Sequence, residues 1–114
     1  MSVSDDLDVL FPGHGSPNNS PAWDAVKNSH ALGEVVRGVV KLRYPFGVFI
    51  DISVGFPALL LVVRFRNADE RPYTNIDDYP IIGTEIEARI CVWDGSSRQI
   101  GLSQLERESM LGET

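Results

Sequence analysis

The sequence predicts an all-β domain, a small five-stranded antiparallel barrel of the Greek-key type with a short helix before it. Two observations lead to this prediction. Five segments between residues 33 and 105 are rich in β-branched residues and are bounded by turn-forming residues. A long polar connection lies between the third and fourth of these segments, which suits the Greek-key order of a small barrel.

The 114 residues suffice for one domain with short tails. We divide them into a flexible acidic tail (1–19), a short helix with its connector (20–32), the barrel domain (33–105) and a second acidic tail (106–114). Turn-forming residues fill Pro12 to Asn19, which favours irregular structure there. Ser20 suits the N-cap of the helix and Pro21 its first position. Trp23 and Val26 lie three residues apart and would dock one helix face on the barrel.

The five predicted strands have different patterns. They cover residues 34–43, 46–53, 58–66, 85–93 and 98–103, and the long loop covers 67–80. The first strand is rich in valine with charges spaced through it, whereas the fourth alternates charged and apolar residues. Asp94 to Ser97 is a hairpin signal that joins the last two strands. Five strands in this arrangement suit an OB-type barrel.

The net charge of −6 argues against a strong overall attraction to phosphates. The excess of acids lies in the two tails, so the near-neutral middle can still carry a local basic strip. Cys91 stands in an apolar strand pattern and is expected to be a buried, inert thiol. The N-terminus has no signal-peptide pattern and the longest apolar run is too short to cross a bilayer, so we expect a cytoplasmic protein without a membrane partner.

Four motifs follow one another along the barrel segment. They are Gly33-Glu34-Val35-Val36-Arg37-Gly38-Val39-Val40, Phe46-Gly47-Val48-Phe49-Ile50-Asp51, Gly83-Thr84-Glu85-Ile86-Glu87-Ala88-Arg89-Ile90, and Asp94 with Arg98 and Ile100-Gly101-Leu102-Ser103. In order and spacing they resemble the S1 RNA-binding domain family over about residues 33–104. This resemblance implies an S1-like OB-fold barrel that binds RNA.

The resemblance also implies a binding face. Phe46 and Phe49 would stack on bases, and Asp94 and Arg98 would flank them at the hairpin between the last two strands. Tyr44 beside them could extend this platform or cap the loop. Basic residues on the first three strands could cluster and contact phosphates; they are Lys41, Arg43, Arg64 and Arg66.

The third strand departs from the family pattern. Leu61 and Val63 stand where the family has a histidine and a serine. Because they share strand parity, both would face the same side. On the outside they would form an apolar patch beside the two phenylalanines, which is typical of a surface for a protein partner.

We therefore expect a domain that binds single-stranded RNA with little sequence preference, without catalysis and without a cofactor. RNA, which could be ribosomal, is the expected partner. The alternative is a protein-interaction module that uses the same face, such as an inhibitor or immunity-type partner of a nucleic-acid enzyme. His14 and His30 are far apart and lack cysteines or carboxylates at metal-ligand spacing, so we expect no metal site. The sequence offers no convincing set of catalytic residues.

Overall fold

A computed structural model gives the fold of the chain and describes residues 2–106, together with the backbone of residues 112–113. The helices are α1 (Val3–Leu10) and α2 (Ser20–Ser29). The strands are β1 (Val35–Tyr44), β2 (Gly47–Asp51), β3 (Ala58–Leu61), β4 (Glu85–Asp94), β5 (Gln99–Ser103) and β6 (Gly112–Glu113). Short 3-10 turns cover Pro17–Asn19, Val62–Arg64 and Ile76–Asp78.

Strands β1 to β5 close into a barrel. The order around it is β1-β2-β3-β5-β4, and β4 returns to β1 through an antiparallel pairing of Val35 with Arg89. The β3–β5 pair is parallel and the other barrel pairs are antiparallel. This topology confirms the predicted all-β, five-stranded OB barrel. β6, within the predicted acidic tail, adds a short parallel pairing to the end of β4.

The barrel interior is filled by side chains from alternate positions of all five strands, as expected for a small closed barrel. Its large, fully buried aliphatic members are Val40, Val48, Ile50, Leu60, Ile90, Ile100 and Leu102. Trp23 of α2 joins this core, with its ring 5.1 Å from Phe56 and 6.0 Å from Trp93 in edge-on contacts. Val26 packs against the same core. The predicted docking of the helix is therefore confirmed, as is the burial of Cys91.

The prediction that the chain is irregular before residue 20 is wrong, because α1 forms there. The Ser2 hydroxyl accepts a hydrogen bond from the Asp5 amide, and the Asp5 carboxylate accepts one from the Ser2 amide. Such a capping box satisfies amides that the first turn leaves unpaired. Val3 and Leu7 lie four residues apart, and Phe11 follows at the same spacing. They form one apolar stripe, which gives α1 a face to bury.

Two further local predictions need correction. Asn19, not Ser20, is the N-cap of α2, because the helix continues directly from the preceding 3-10 turn and the Ser20 hydroxyl bonds elsewhere. The third strand ends at Leu61, because the backbone turns into a 3-10 turn at residues 62–64. Leu61 and Val63 therefore do not share the strand parity that the sequence pattern predicted.

No helix within the described part of the chain is long and apolar enough to cross a membrane. Among residues 2–106, no three side chains of the metal-binding types come together in a cluster that could hold an ion.

Candidate nucleic-acid interface

A row of directly paired residues crosses the outside of the barrel. Leu42 pairs with Phe49, Phe49 with Leu59, Leu59 with Gly101, and Gly101 with Val92. We call these five residues the outer row; they are Leu42, Phe49, Leu59, Gly101 and Val92. The row brings all five barrel strands together on one face.

Two register shifts create the outer row. In β1 the pairing with β2 shifts between Val40 and Leu42, and in β4 the pairing with β5 shifts between Ile90 and Val92. Because side chains alternate between the faces of a strand, a shift of one residue moves the following side chains to the opposite face. Val40 and Ile90 therefore lie in the core, whereas Leu42 and Val92 lie on the outside.

Three aromatic rings, the ring cluster, stand at one end of the row. The rings of Tyr44 and Phe46 are stacked, with centroids 5.3 Å apart and an interplanar angle of 6°. Phe49 meets both edge-on, at 6.0 and 6.1 Å. Phe46 is 39% exposed and Phe49 only 1%. Gly47 between them is buried against β3, where a Cβ would collide with the Leu60 carbonyl oxygen. This close approach explains the glycine of the motif.

Phe49 is buried because α1 lies on it. Leu7 and Phe11 form a second hydrophobic cluster with Phe49, separate from the barrel core. The partly buried Leu42 and Leu59 of the outer row pack against this cluster, as does Tyr44 of the ring cluster. Of the two phenylalanines that the sequence predicts to stack on bases, Phe46 alone is accessible in this arrangement.

A polar contact also joins the ring cluster to α1. The Tyr44 hydroxyl donates a hydrogen bond of 2.5 Å to the Asp6 carboxylate. Burial of the phenol, together with its bond to the Asp6 carboxylate and that group's charge, raises the pKa of Tyr44 to about 12. Tyr44 therefore packs beneath Phe46 and anchors the helix.

The Arg98 side chain is bound to the segment that follows α1. Its guanidinium donates to the carbonyl oxygens of Ser16 at 2.5 Å and His14 at 3.5 Å, and to the Ser20 hydroxyl at 2.6 Å. The backbone of Arg98 has a positive φ of 56°, a conformation that costs a non-glycine residue about 1 kcal/mol. The hairpin turn therefore aims this half-buried guanidinium at the N-terminal segment.

Asp94 organises the same hairpin. Its carboxylate accepts hydrogen bonds from the Ser96 amide at 3.2 Å, the Ser96 hydroxyl at 2.8 Å and the Ser97 amide at 3.4 Å. Burial opposes ionisation of Asp94, but the hydrogen bonds from Ser96 and Ser97 outweigh it and hold the pKa of this carboxyl below its usual range. The role that the structure gives Asp94 is to close the turn.

The structure places the four basic residues of the predicted cluster in different settings. Lys41 is exposed at the register shift of β1. Arg43 pairs with the core residue Val48 and donates to the Ile76 carbonyl at 3.2 Å, so it faces away from the outer row. Arg64 lies in the 3-10 turn after β3, and Arg66 lines a cavity in the connection from β3 to β4.

A shallow groove of about 130 Å³ continues the face beyond Leu59. It brings together three predicted site residues, Leu61, Arg64 and Asp94. Val63 is not among its lining residues and is 66% exposed. Sequence reasoning missed the other groove residues, Leu59, Val92, Gln99 and Gly101. It also missed the helix that covers Phe49, although the four-residue spacing of the apolar residues Val3, Leu7 and Phe11 indicates a helix with one apolar face.

Comparison with known proteins shows which domains the barrel resembles. No family model matches the chain. The small ribosomal subunit protein bS1 of Chlamydia trachomatis is 27% identical over 81 residues, which cover 71% of this chain. A chain from the crystal structure of the a/eIF2alpha-aDim2p-rRNA complex from Pyrococcus horikoshii superposes with a TM-score of 0.57 at 25% identity, over 69% of this chain and 46% of that one. The barrel has the OB fold and is similar to S1-type domains.

The matched segment is a small part of the curated proteins that resemble this chain. This chain matches 14% of the length of the Chlamydia trachomatis bS1 protein. It also resembles 4-hydroxy-3-methylbut-2-enyl diphosphate reductase of Clostridium tetani, with 28% identity over 81 residues and 12% of that protein's length. The similarity therefore concerns one domain of those longer proteins.

Proposed function

We propose that this S1-type domain binds single-stranded RNA on its outer face, with little sequence preference and without chemistry. The similar bS1 protein is a ribosomal protein, and the similar Pyrococcus horikoshii chain comes from a complex that contains rRNA. These likenesses support RNA, which could be ribosomal, as the ligand. The match to the reductase covers only 12% of that enzyme and gives no argument for its chemistry in this chain.

The observation that carries the proposal is the exposed ring of Phe46. Phe46 lies stacked on Tyr44, so its orientation is set before any ligand arrives. A preset aromatic face accepts any unpaired base, because every base has a π-face, and each such contact contributes about 1–3 kcal/mol. Stacking of this kind needs bases that are not already stacked in a duplex, which favours single strands.

Few phosphate contacts are available to this face. Lys41 is exposed near the row, and Arg64 lines the groove. With about two phosphate contacts, the logarithm of the affinity should fall with the logarithm of salt concentration with a slope of about −1.4, and a third contact at Arg98 would steepen the slope to about −2.1. The net charge of −6 also argues for a weak electrostatic component.

A titration of the ¹⁵N-labelled protein with a short poly-pyrimidine RNA, at low and moderate salt, tests the proposal. We expect amide shifts around Phe46 and the groove. Phe46→Ala should raise Kd about 5- to 150-fold, which corresponds to the loss of about 1–3 kcal/mol of stacking. Ile81→Ala is the matched control, because Ile81 is also an exposed apolar residue but lies in the connection before β4. A Phe46→Ala variant that binds as tightly as the wild type would rule out the stacking role.

The protein-interaction alternative rests on the exposed Val63 and on the apolar groove residues Leu59 and Leu61. If the RNA titration causes no amide shifts even at low salt, that result would favour this alternative. Val63→Asp should then abolish binding of the protein partner while leaving the fold intact, because the Val63 side chain is largely in solvent.

A further inference from the structure

The N-terminal segment lies on the surface to which we assign RNA binding. Residues 2–16, which we call the cover, comprise α1 and the turn after it. Leu7 and Phe11 lie on Phe49, whose exposed fraction is 1%. No base can stack on Phe49 while these two side chains occupy its surface.

The cover also uses the polar groups that a nucleic acid would need. The Arg98 guanidinium donates to the carbonyl oxygens of His14 and Ser16, both within the cover. A phosphate would compete for these same N–H donors. The carboxylate of Asp6 accepts the hydrogen bond of Tyr44 beside the exposed Phe46 ring.

The charge of the cover opposes RNA. Residues 2–16 contain three acids and neither lysine nor arginine; the acids are Asp5, Asp6 and Asp8. A phosphate that approached the ring cluster would meet the Asp6 carboxylate at short range, where salt screens the repulsion least. The docked cover therefore disfavours RNA by occupying its contacts and by its charge.

The cover is attached in a way that permits release. An isolated helix of eight residues is not stable in water, so α1 depends on its contacts with the barrel. These contacts come mainly from Leu7, Phe11 and the Asp6–Tyr44 bond. Trp23 of α2, by contrast, belongs to the barrel core. The 3-10 turn Pro17–Asn19 lies between the two helices and marks where release would stop.

We propose that the cover is an autoinhibitory element, docked on the outer row in the free protein and displaced when RNA occupies Phe49 and Arg98. This inference rests on the proposed RNA-binding function. The two occupants exclude each other, so RNA binds the released form and shifts the population toward it. The apparent affinity equals the intrinsic affinity multiplied by the fraction of molecules whose cover is released.

The wild-type protein allows a direct test. We expect saturation with poly-pyrimidine RNA to move the backbone signals of α1 to the positions of an unfolded chain and to speed their amide exchange, while the α2 signals around Trp23 stay in place. RNA saturation that leaves the α1 signals at their docked positions overturns the proposal.

A pair of variants tests the same inference through affinity. Leu7→Ser removes a buried contact with the barrel, whereas Val9→Ser makes the same change in the same helix at a side chain that is 77% exposed. We expect Leu7→Ser to lower Kd about 5- to 150-fold, the usual range for coupled sites, and Val9→Ser to leave it unchanged. Equal Kd values for Leu7→Ser and wild type contradict the proposal.

The outcomes separate this inference from the function on which it rests. RNA binding by wild type and Leu7→Ser with equal affinity, with α1 docked throughout, overturns the cover and leaves the RNA-binding proposal standing. Absence of binding by both proteins, with the barrel spectrum intact, overturns the RNA-binding proposal and the cover with it. RNA binding by Leu7→Ser, without binding by wild type, supports both the RNA-binding proposal and the cover proposal.

Discussion

Tyr44 and Asp6 lie 38 residues apart in sequence, yet the phenol of one donates a 2.5 Å hydrogen bond to the carboxylate of the other. The bond links a barrel strand to a helix outside the barrel. Burial of the phenol disfavours its ionised form, and ionised Tyr44 would also lose its hydrogen bond to Asp6 and place a second negative charge against that carboxylate. The pKa of Tyr44 is therefore about 12, above the ordinary tyrosine value of about 10.

This raised pKa predicts a loss of stability at alkaline pH. Because the folded-state pKa lies above the unfolded one, the contribution of Tyr44 is complete below about pH 10 and is lost as the pH rises through about 12. The free energy of unfolding, measured with urea from about pH 8 to 12, should decrease less for Tyr44→Phe than for wild type. Identical decreases in the two proteins would show that Tyr44 does not contribute to this loss.

Trp23 should behave as a core residue despite its position outside the barrel strands. Trp23→Ala removes edge-on contacts with Phe56 and Trp93, so we expect the free energy of unfolding to fall by about 3–5 kcal/mol. Asp24→Ala, at an exposed position of the same helix, is the control and should change it by less than about 0.5 kcal/mol. A loss below about 1 kcal/mol for Trp23→Ala would mean that α2 unfolds separately from the barrel.

The two phenylalanines of the ring cluster should differ in their effect on stability. Phe49→Ala leaves a cavity beneath α1 and should cost about 3 kcal/mol or more. Phe46→Ala truncates a ring that is partly in solvent and should cost about 1 kcal/mol. Chemical denaturation of both variants checks the difference. Comparable losses would indicate that Phe46 is as buried as Phe49 in solution.

Gly101 should tolerate no side chain. A Cβ at this position would collide with a methyl group of Val92, so Gly101→Ala should destabilise the barrel by about 1–3 kcal/mol. Gly15→Ala is the control, since nothing lies near its Cβ position. The double variant Val92→Ala with Gly101→Ala should be more stable than the sum of the single effects predicts. Strict additivity would show that the two positions do not collide.

The barrel strands could be predicted from sequence because their signals are local. Segments rich in β-branched and apolar residues mark the strands, alternation of charged and apolar residues marks β4, and Asp94 to Ser97 marks the hairpin. The end of β3 could not be predicted, since Leu59 to Val63 is uniformly apolar and carries no alternation to show where the strand stops. The 3-10 turn there is held by a hydrogen bond from the Val62 amide to the Phe46 carbonyl, a tertiary contact.

The outer face was less predictable than the barrel, because its residues depend on distant contacts. The positions of Leu42 and Val92 follow from register shifts that leave no mark in a hydrophobic pattern. The burial of Phe49 depends on α1, and the direction of Arg98 depends on carbonyl oxygens more than 80 residues earlier. Phe49 and Arg98 were identified as site candidates by family resemblance, whereas their accessibility is a tertiary property.

The β1–β4 pairing has a consequence for the speed of folding. Val35 pairs with Arg89, although most of the domain's sequence lies between them. The barrel therefore closes only after a large loop has lost its conformational freedom. Small barrels dominated by such distant pairings fold in about milliseconds to seconds, far more slowly than helical bundles of similar size. We therefore expect the free edges of β1 and β4 to remain unpaired through most of the folding reaction, and pairing between chains at these edges to be the main route of misfolding.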